Sequence, residues 1–157
     1  MLLKALVVYD SMYGNTEKIA RSIGSAITGD VKVLRISEVN PSELESIDLL
    51  IVGSPTQGFR PTKPVQTLIK NMAGETLKGI TVVAFDTRFA ESDVGTGLRL
   101  LINMGGYAAP YIAKELKKKG VNLAVPPEGF FVKGKEGPLK EGELERAAAW
   151  AKGIIEN

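Results

Sequence analysis

The sequence contains no cysteine and no histidine. The absence of cysteine excludes disulfides, iron–sulfur clusters, thiolate zinc sites and cysteine nucleophiles. The absence of histidine removes the commonest metal ligand and the commonest general base of enzymes. Catalytic or metal-binding mechanisms that depend on these two side chains are therefore excluded, and no metal site or catalytic residue is predicted.

A strong net charge and long apolar runs are also missing. The net charge is +2, and 157 residues fit a single domain, residues 1–157. The one basic run, residues 114–119, lacks aromatic neighbours and lies near a predicted helix end, where cations favour the helix dipole. Nucleic-acid binding is therefore not expected. The mainly apolar stretch of residues 2–9 lacks the features of a signal peptide and is too short to span a bilayer, so we expect a cytoplasmic protein without membrane attachment.

Short apolar runs alternate with amphipathic helical patterns along the chain. The predicted strands are Lys4–Tyr9 and residues 31–36, 47–52, 80–85 and 121–125, with residues 130–132 as a continuation of the last. Residues 49–52 and 82–85 are apolar at successive positions, which is typical of parallel strands covered by helices on both faces. A long helix that includes residues 98–116 is predicted to be weakened at Gly105 and Gly106. The pattern predicts an α/β fold, a three-layer doubly wound sandwich around a five-stranded parallel sheet.

In such a sheet, ligands bind beyond the carboxyl ends of the strands, where the winding reverses. The loop after the first strand carries the hydroxyls of Ser11 and Thr16, the amide of Asn15 and the flexible Gly14. These groups, with the N–H groups of the next helix, suit a phosphate. The loop has no lysine or arginine, which indicates a phosphate monoester in a neutral cradle, and no Walker motif is present. An N-capping turn without a ligand is the alternative interpretation.

The motif Ser11-x-x-Gly14-Asn15-Thr16 resembles the flavodoxin fingerprint that grips the phosphate of FMN. Tyr13 stands where many members have threonine, so one hydroxyl is missing. Tyr13-Gly14 is similar to the flavodoxin domains of flavodiiron proteins and to FMN-dependent quinone reductases of the same superfamily, which leaves the subfamily open. The resemblance implies FMN as cofactor and the flavodoxin-like strand order 2-1-3-4-5.

Two further loops match the family at the predicted positions. Residues 53–61 match the loop that binds the isoalloxazine ring. The resemblance implies that a peptide flip at Gly58 lets a carbonyl accept a hydrogen bond from the reduced flavin, and that Phe59 stacks on the ring. A turn with its aromatic residue in the core is the alternative. Residues 86–90 match the loop along the pyrimidine edge, with Phe89 or else Tyr107 as the cover. The predicted FMN-binding residues are Ser11, Met12, Tyr13, Gly14, Asn15, Thr16, Pro55, Thr56, Gln57, Gly58, Phe59, Asp86, Thr87, Arg88 and Phe89.

The resemblance implies a carrier of single electrons between redox partner proteins. Two alternatives are an NAD(P)H- or quinone-linked reductase and a flavodoxin-like module that has lost FMN. The cations Arg60, Lys63 and Arg88 lie in or beside the ring loops, with Glu91 and Asp93 as the acids close by in sequence. This pattern predicts a less negative second one-electron potential than in acidic flavodoxins. It also predicts a partner with an acidic docking face.

Overall fold

The computed structural model describes residues 2–90 and 93–156, and the backbone alone for 103–105. Five strands form one sheet: β1 (Lys4–Tyr9), β2 (Asp30–Arg35), β3 (Leu49–Pro55), β4 (Thr81–Phe89) and β5 (Glu128–Val132). All neighbouring strands are parallel, in the order β2-β1-β3-β4-β5. This confirms the predicted topology. The winding reverses between β1 and β3, so a crevice is expected at their carboxyl ends.

Helices cover both faces of the sheet. They are α1 (Asn15–Ala26), α2 (Lys63–Asn71), the single turn α3 (Gly74–Leu77), α4 (Thr96–Gly105), α5 (Ala108–Lys117) and α6 (Glu143–Glu156). Helices α1 and α6 pack on one face, and α2 and α5 pack on the other. The predicted three-layer α/β sandwich is therefore confirmed. No described helix is long and apolar enough to cross a bilayer.

The apolar runs of the strands contribute side chains to two hydrophobic cores, one on each face of the sheet. In β1, Val7 packs in the α1–α6 core and the next residue, Val8, packs in the α2–α5 core, and both are fully buried. Successive strand residues point to opposite faces, so an uninterrupted apolar run is what two covered faces require. The two layers of helices fix the sheet that carries the loops of the crevice.

The fifth strand begins later in the chain than predicted, after the segment 121–125. Residues 121–125 make only an isolated bridge between Leu123 and Val82, and β5 begins at Glu128. Pro126 and Pro127 intervene, and neither has an N–H group for a sheet hydrogen bond. The predicted strand at 121–125 is thus wrong, and the segment predicted as its continuation forms the core of the true strand.

The predicted long helix is two helices. Helix α4 ends at Gly105, Gly106 has a φ of +81°, and α5 begins at Ala108. A left-handed φ cannot continue a helix and is readily adopted by glycine. The break turns the chain at the carboxyl end of the sheet, and it places Tyr107 beside the crevice.

Candidate functional site

A cavity of about 610 Å³ opens at the carboxyl ends of β1, β3 and β4. It is lined by all the predicted site residues except Gly14 and Asp86: Ser11, Met12, Tyr13, Asn15, Thr16, Pro55, Thr56, Gln57, Gly58, Phe59, Thr87, Arg88 and Phe89. Three loops that are far apart in sequence therefore meet around one space.

The loop between β1 and α1 is organised around the hydroxyl of Ser11. Its Oγ accepts hydrogen bonds from the N–H groups of Gly14, at 3.0 Å, and of Glu17, at 3.4 Å. Gly14 has a φ of +92° and precedes the first residue of α1. A hydroxyl has one donor and two acceptor positions. Because both acceptor positions of Ser11 are used, its O–H remains to donate to a ligand.

The first turn of α1 is buried at the edge of the cavity. Asn15 and Thr16 are 7% and 1% exposed, and the hydroxyls of Thr16 and Thr87 lie 2.8 Å apart. One hydroxyl of this pair donates to the other, so one O–H remains for a ligand. Within the described residues, no acceptor is found for the N–H groups of Asn15 and Thr16. Unpaired N–H groups at a helix start form an anion site together with the helix dipole.

Arg35, at the end of β2, supports this loop from the side, and sequence reasoning missed it. Its Nη1 donates to the carbonyl of Ser11 at 3.0 Å, and its Nη2 pairs with Glu17 Oε1 at 3.2 Å. The loop carries no basic residue of its own, but the parallel pairing of β1 and β2 brings this one to it. The guanidinium holds the loop through a backbone carbonyl, so it is a positioning residue.

The second loop is a tight turn from Gln57 to Arg60. The two end residues exchange backbone hydrogen bonds of 2.8 and 3.1 Å, and Gly58 and Phe59 have φ angles of +55° and +68°. Positive φ at both central positions defines a type I′ turn. Glycine followed by another residue suits a type II′ turn, in which only the first position has positive φ. A flip of the peptide between Gly58 and Phe59 interconverts the two turns and returns Phe59 to negative φ.

The third loop differs from its prediction at Asp86. This carboxylate is fully buried and does not line the cavity. Its two oxygens accept from Arg88 Nε at 2.6 Å and Nη2 at 2.7 Å, and one also accepts from the N–H of Ala109 at 2.8 Å. Burial raises the pKa of Asp86, and the bonds from Arg88 and Ala109 oppose that rise. Asp86 is thus occupied in holding Arg88 and the start of α5.

The position of Arg88 changes the predicted charge pattern. Its guanidinium lies 3.7 Å from the ring centre of Tyr107, which also lines the cavity. The charge of Arg88 is matched by Asp86, so it adds little net positive potential. Asp93 pairs with Lys140, and Glu91 lies outside the described residues. Of the three cations from which a less negative second one-electron potential was predicted, Arg60 and Lys63 therefore remain as its source.

Further residues complete the wall of the cavity. Leu98 and Ile102, one turn apart on α4, line it together with Gly106, Tyr107, Val132 and Lys135. Their i, i+4 spacing in the predicted helix marked a common face, but it did not show that this face borders a cavity. Lys135 belongs to a segment predicted only as a loop. Lys135 thus adds a cation to the wall of a cavity whose loop at residues 11–16 carries no lysine or arginine.

The cavity has two chemically different parts. At one end are hydroxyls, an amide and the N–H groups at the start of α1, where an anion is stabilised. The remainder is bordered mainly by apolar and aromatic side chains: Pro55, Phe59, Phe89, Leu98, Ile102, Tyr107 and Val132. Such a slot suits a planar ring system. The chemistry of the two parts suits a ligand with an anionic group at one end and a flat aromatic group at the other.

The strand order β2-β1-β3-β4-β5, with a cavity at the switch point, defines a doubly wound α/β protein of the flavodoxin-like type. The family model of flavodoxin matches residues 7–150. This chain belongs to the flavodoxin family. Members of the family bind a flavin, typically FMN, and transfer electrons to redox partner proteins.

Solved structures share the fold over nearly the whole chain. A flavodoxin from the domain Archaea is 22% identical, with a TM-score of 0.75 over 98% of this chain and 97% of that one. Flavodoxin 1 of Bacillus cereus is 16% identical, with a TM-score of 0.72 over 98% of each chain. The rubredoxin oxygen:oxidoreductase of Desulfovibrio gigas is 21% identical, with a TM-score of 0.72 over 98% of this chain and 35% of that longer one. At these identities the matches show a common fold.

Proposed function

We propose that this chain binds one FMN in the cavity and carries single electrons between redox partner proteins. The observation that carries the proposal is the meeting of an anion site at the start of α1 with a mainly apolar slot in one cavity. Bound FMN supplies the redox chemistry, and the protein supplies binding and electrostatics. The O–H of Ser11 and the N–H groups of Asn15 and Thr16 hold the phosphate, while Phe59 and either Phe89 or Tyr107 flank the ring.

The fit of FMN to the site rests on unsatisfied donors and on shape. A helix start with unpaired N–H groups and a free hydroxyl is costly to bury without an acceptor, and a phosphate supplies one. The type I′ turn at Gly58 and Phe59 lines the cavity, and a flip of its central peptide would reverse the directions of that peptide's C=O and N–H groups. Such a flip would let the turn offer bound flavin either an acceptor or a donor.

The test is a titration of the purified apoprotein with FMN, followed by reduction. We expect a flavin absorbance spectrum in the bound state, tight 1:1 binding, and reduction by dithionite in one-electron steps. Excess NADPH alone should leave the bound FMN oxidised, because a carrier receives electrons from a protein partner. Absence of flavin binding would indicate a module that has lost FMN, and rapid reduction by NADPH alone would indicate a reductase.

We also propose where an acidic partner docks. A groove of about 390 Å³ adjoins the cavity and is bordered by Arg60, Lys63 and Tyr111, with Arg60 stacked 4.9 Å from the centre of the Tyr111 ring. Lys70 on α2 and Lys114 on α5 are also exposed, and these two helices pack against each other. We call Arg60, Lys63, Lys70 and Lys114 the α2–α5 basic face.

The α2–α5 basic face carries charge that the fold does not neutralise. Within the described residues, none of its four cations has an ion-pair partner, and no carboxylate lines the groove. Opposite potentials speed the encounter of two proteins more than they add to affinity. The position beside the cavity fits a partner that approaches the ring edge with carboxylates.

Reversing one charge on this face should slow electron transfer to an anion. In the FMN-loaded and reduced protein, Lys63→Glu should slow oxidation by ferricyanide roughly three- to tenfold at low salt, and added salt should reduce the difference. The matched control is Lys152→Glu, which makes the same charge change on α6, on the opposite face of the sheet. Stopped-flow absorbance measures both rates. Equal slowing by both variants would mean that only net charge matters, and the docking face would be rejected.

A further inference from the structure

A β-hairpin over residues 131–140 forms part of the cavity wall, beside the loop of residues 11–16. The N–H of Lys133 donates to the carbonyl of Pro138 at 2.8 Å, and the N–H of Lys140 donates to that of Phe131 at 2.9 Å. Residues 134–137 form the turn, with the N–H of Gly137 on the carbonyl of Gly134 at 3.0 Å. The hairpin is thus an ordered continuation of β5.

The hairpin is held in place at three points. At its base, the N–H of Phe131 donates to Glu143 Oε2 at 2.7 Å, and Lys140 pairs with Asp93 on the segment before α4. At its tip, Gly137 packs against the side chain of Asn15 so closely that a Cβ there would lie 2.7 Å from Asn15 Oδ1. Gly137 also has a φ of +104°, which favours glycine. These contacts place the turn against the first residue of α1.

Lys135 lies on this turn, two residues from Gly137, and lines the cavity. Two of the described lining residues are cations, Arg88 and Lys135, and the charge of Arg88 is matched by Asp86. Lys135 has no ion-pair partner among the described residues, and no carboxylate lines the cavity. The net positive charge of the wall therefore comes from Lys135, at the end where the turn meets α1.

We infer that Lys135 is a specificity-determining residue that pairs with the phosphate of the flavin and favours the phosphorylated form over riboflavin. The inference rests on the proposed function, because the phosphate lies at the start of α1 only if FMN is the ligand. A phosphate monoester carries up to two negative charges at neutral pH. An ammonium that lines the cavity, on the turn that packs against the first residue of α1, adds a charge-assisted contact that riboflavin does not make. The hairpin then holds Lys135 in position to pair with the phosphate.

The experiment compares FMN and riboflavin binding to apoprotein variants by flavin fluorescence. Lys135→Ala should weaken FMN binding about five- to tenfold at low salt, since an exposed ion pair contributes modestly and the phosphate is a dianion. Riboflavin affinity should stay unchanged, and Lys135→Arg should retain FMN affinity within about twofold. Lys133→Ala is the matched control, because Lys133 is exposed on the same hairpin and does not line the cavity. At about 0.5 M salt the loss in Lys135→Ala should shrink.

The outcomes separate this inference from the proposed function. If the wild-type apoprotein binds neither flavin, the proposed function fails and the role of Lys135 fails with it. If FMN binds tightly and Lys135→Ala keeps the wild-type affinity, only the role of Lys135 is overturned. If Lys135→Ala weakens FMN and riboflavin equally, or Lys133→Ala has the same effect, Lys135 acts on the structure of the hairpin and the inference is rejected.

Discussion

Replacing Asp86 by alanine is expected to lower the free energy of unfolding of the apoprotein by about 3 kcal/mol. The carboxylate is fully buried and accepts three hydrogen bonds of 2.6 to 2.8 Å, two from Arg88 and one from the Ala109 N–H. Removing one partner of a buried ion pair leaves the other charge without compensation, which typically costs about 3–5 kcal/mol. The low end applies because the Arg88 side chain is 16% exposed. Urea unfolding followed by circular dichroism measures the change.

Two companion variants test the mechanism behind this loss. Asp93→Ala removes the carboxylate of a more exposed pair, with Lys140, and should cost no more than about 1 kcal/mol. The double variant Asp86→Ala/Arg88→Ala should recover part of the loss, since no unpaired guanidinium remains. A cost for Asp86→Ala as small as that for Asp93→Ala would show that the buried pair does not hold the start of α5.

Replacing Ser11 by alanine is expected to weaken FMN binding by about 1–3 kcal/mol, roughly 5- to 150-fold. The two acceptor positions of Ser11 Oγ are filled by the N–H groups of Gly14 and Glu17, which leaves its O–H for the phosphate. The substitution removes that donor and also the acceptor of the Gly14 and Glu17 N–H groups, each hydrogen bond being worth roughly 0.5–1.5 kcal/mol of stability. Comparing FMN with riboflavin separates the two effects, because the lost acceptor acts on both ligands and the lost donor acts on the phosphate. Isothermal titration calorimetry gives the two dissociation constants.

Ser25→Ala supplies the control, since Ser25 is an exposed serine on the same helix. It should leave both affinities unchanged. In the wild type, riboflavin should bind much more weakly than FMN. Equal affinity of the wild type for the two flavins would rule out a phosphate at the start of α1, whatever the effect of the Ser11 variant.

The first four strands and the loops around the cavity could be predicted because their signals are local, and the strand order was implied by the resemblance to the family. Each strand of a sheet covered on both faces needs a short apolar run, and the fingerprint at Ser11–Thr16 follows the first run directly. The topology of such a sheet then brings the ends of β1, β3 and β4 together. The fifth strand was placed too early because residues 121–125 carry the same kind of apolar run, and only the two prolines after them separate it from the true strand.

The charges of the site required the tertiary structure. The sequence shows Arg88 as a cation of the third loop and does not show that it is paired. In the structure, the buried carboxylate of Asp86 forms an ion pair with it. Lys135 stands in a loop far from the fingerprint, and a hairpin anchored at Asn15 brings it to the cavity. Ion pairing depends on where side chains lie in space, which sequence separation does not report.

The sequence by itself determined the fold class, and its fingerprint residues carried the resemblance to the family. The fold class follows from periodicity, and the fingerprint consists of residues that are neighbours in the chain at the start of α1. The tertiary structure decided which groups face the cavity, how the turn at Gly58 is held and which cations remain unpaired. Burial and Coulomb energy depend on distances between residues that are remote in the chain, so they are set only once the layers have packed.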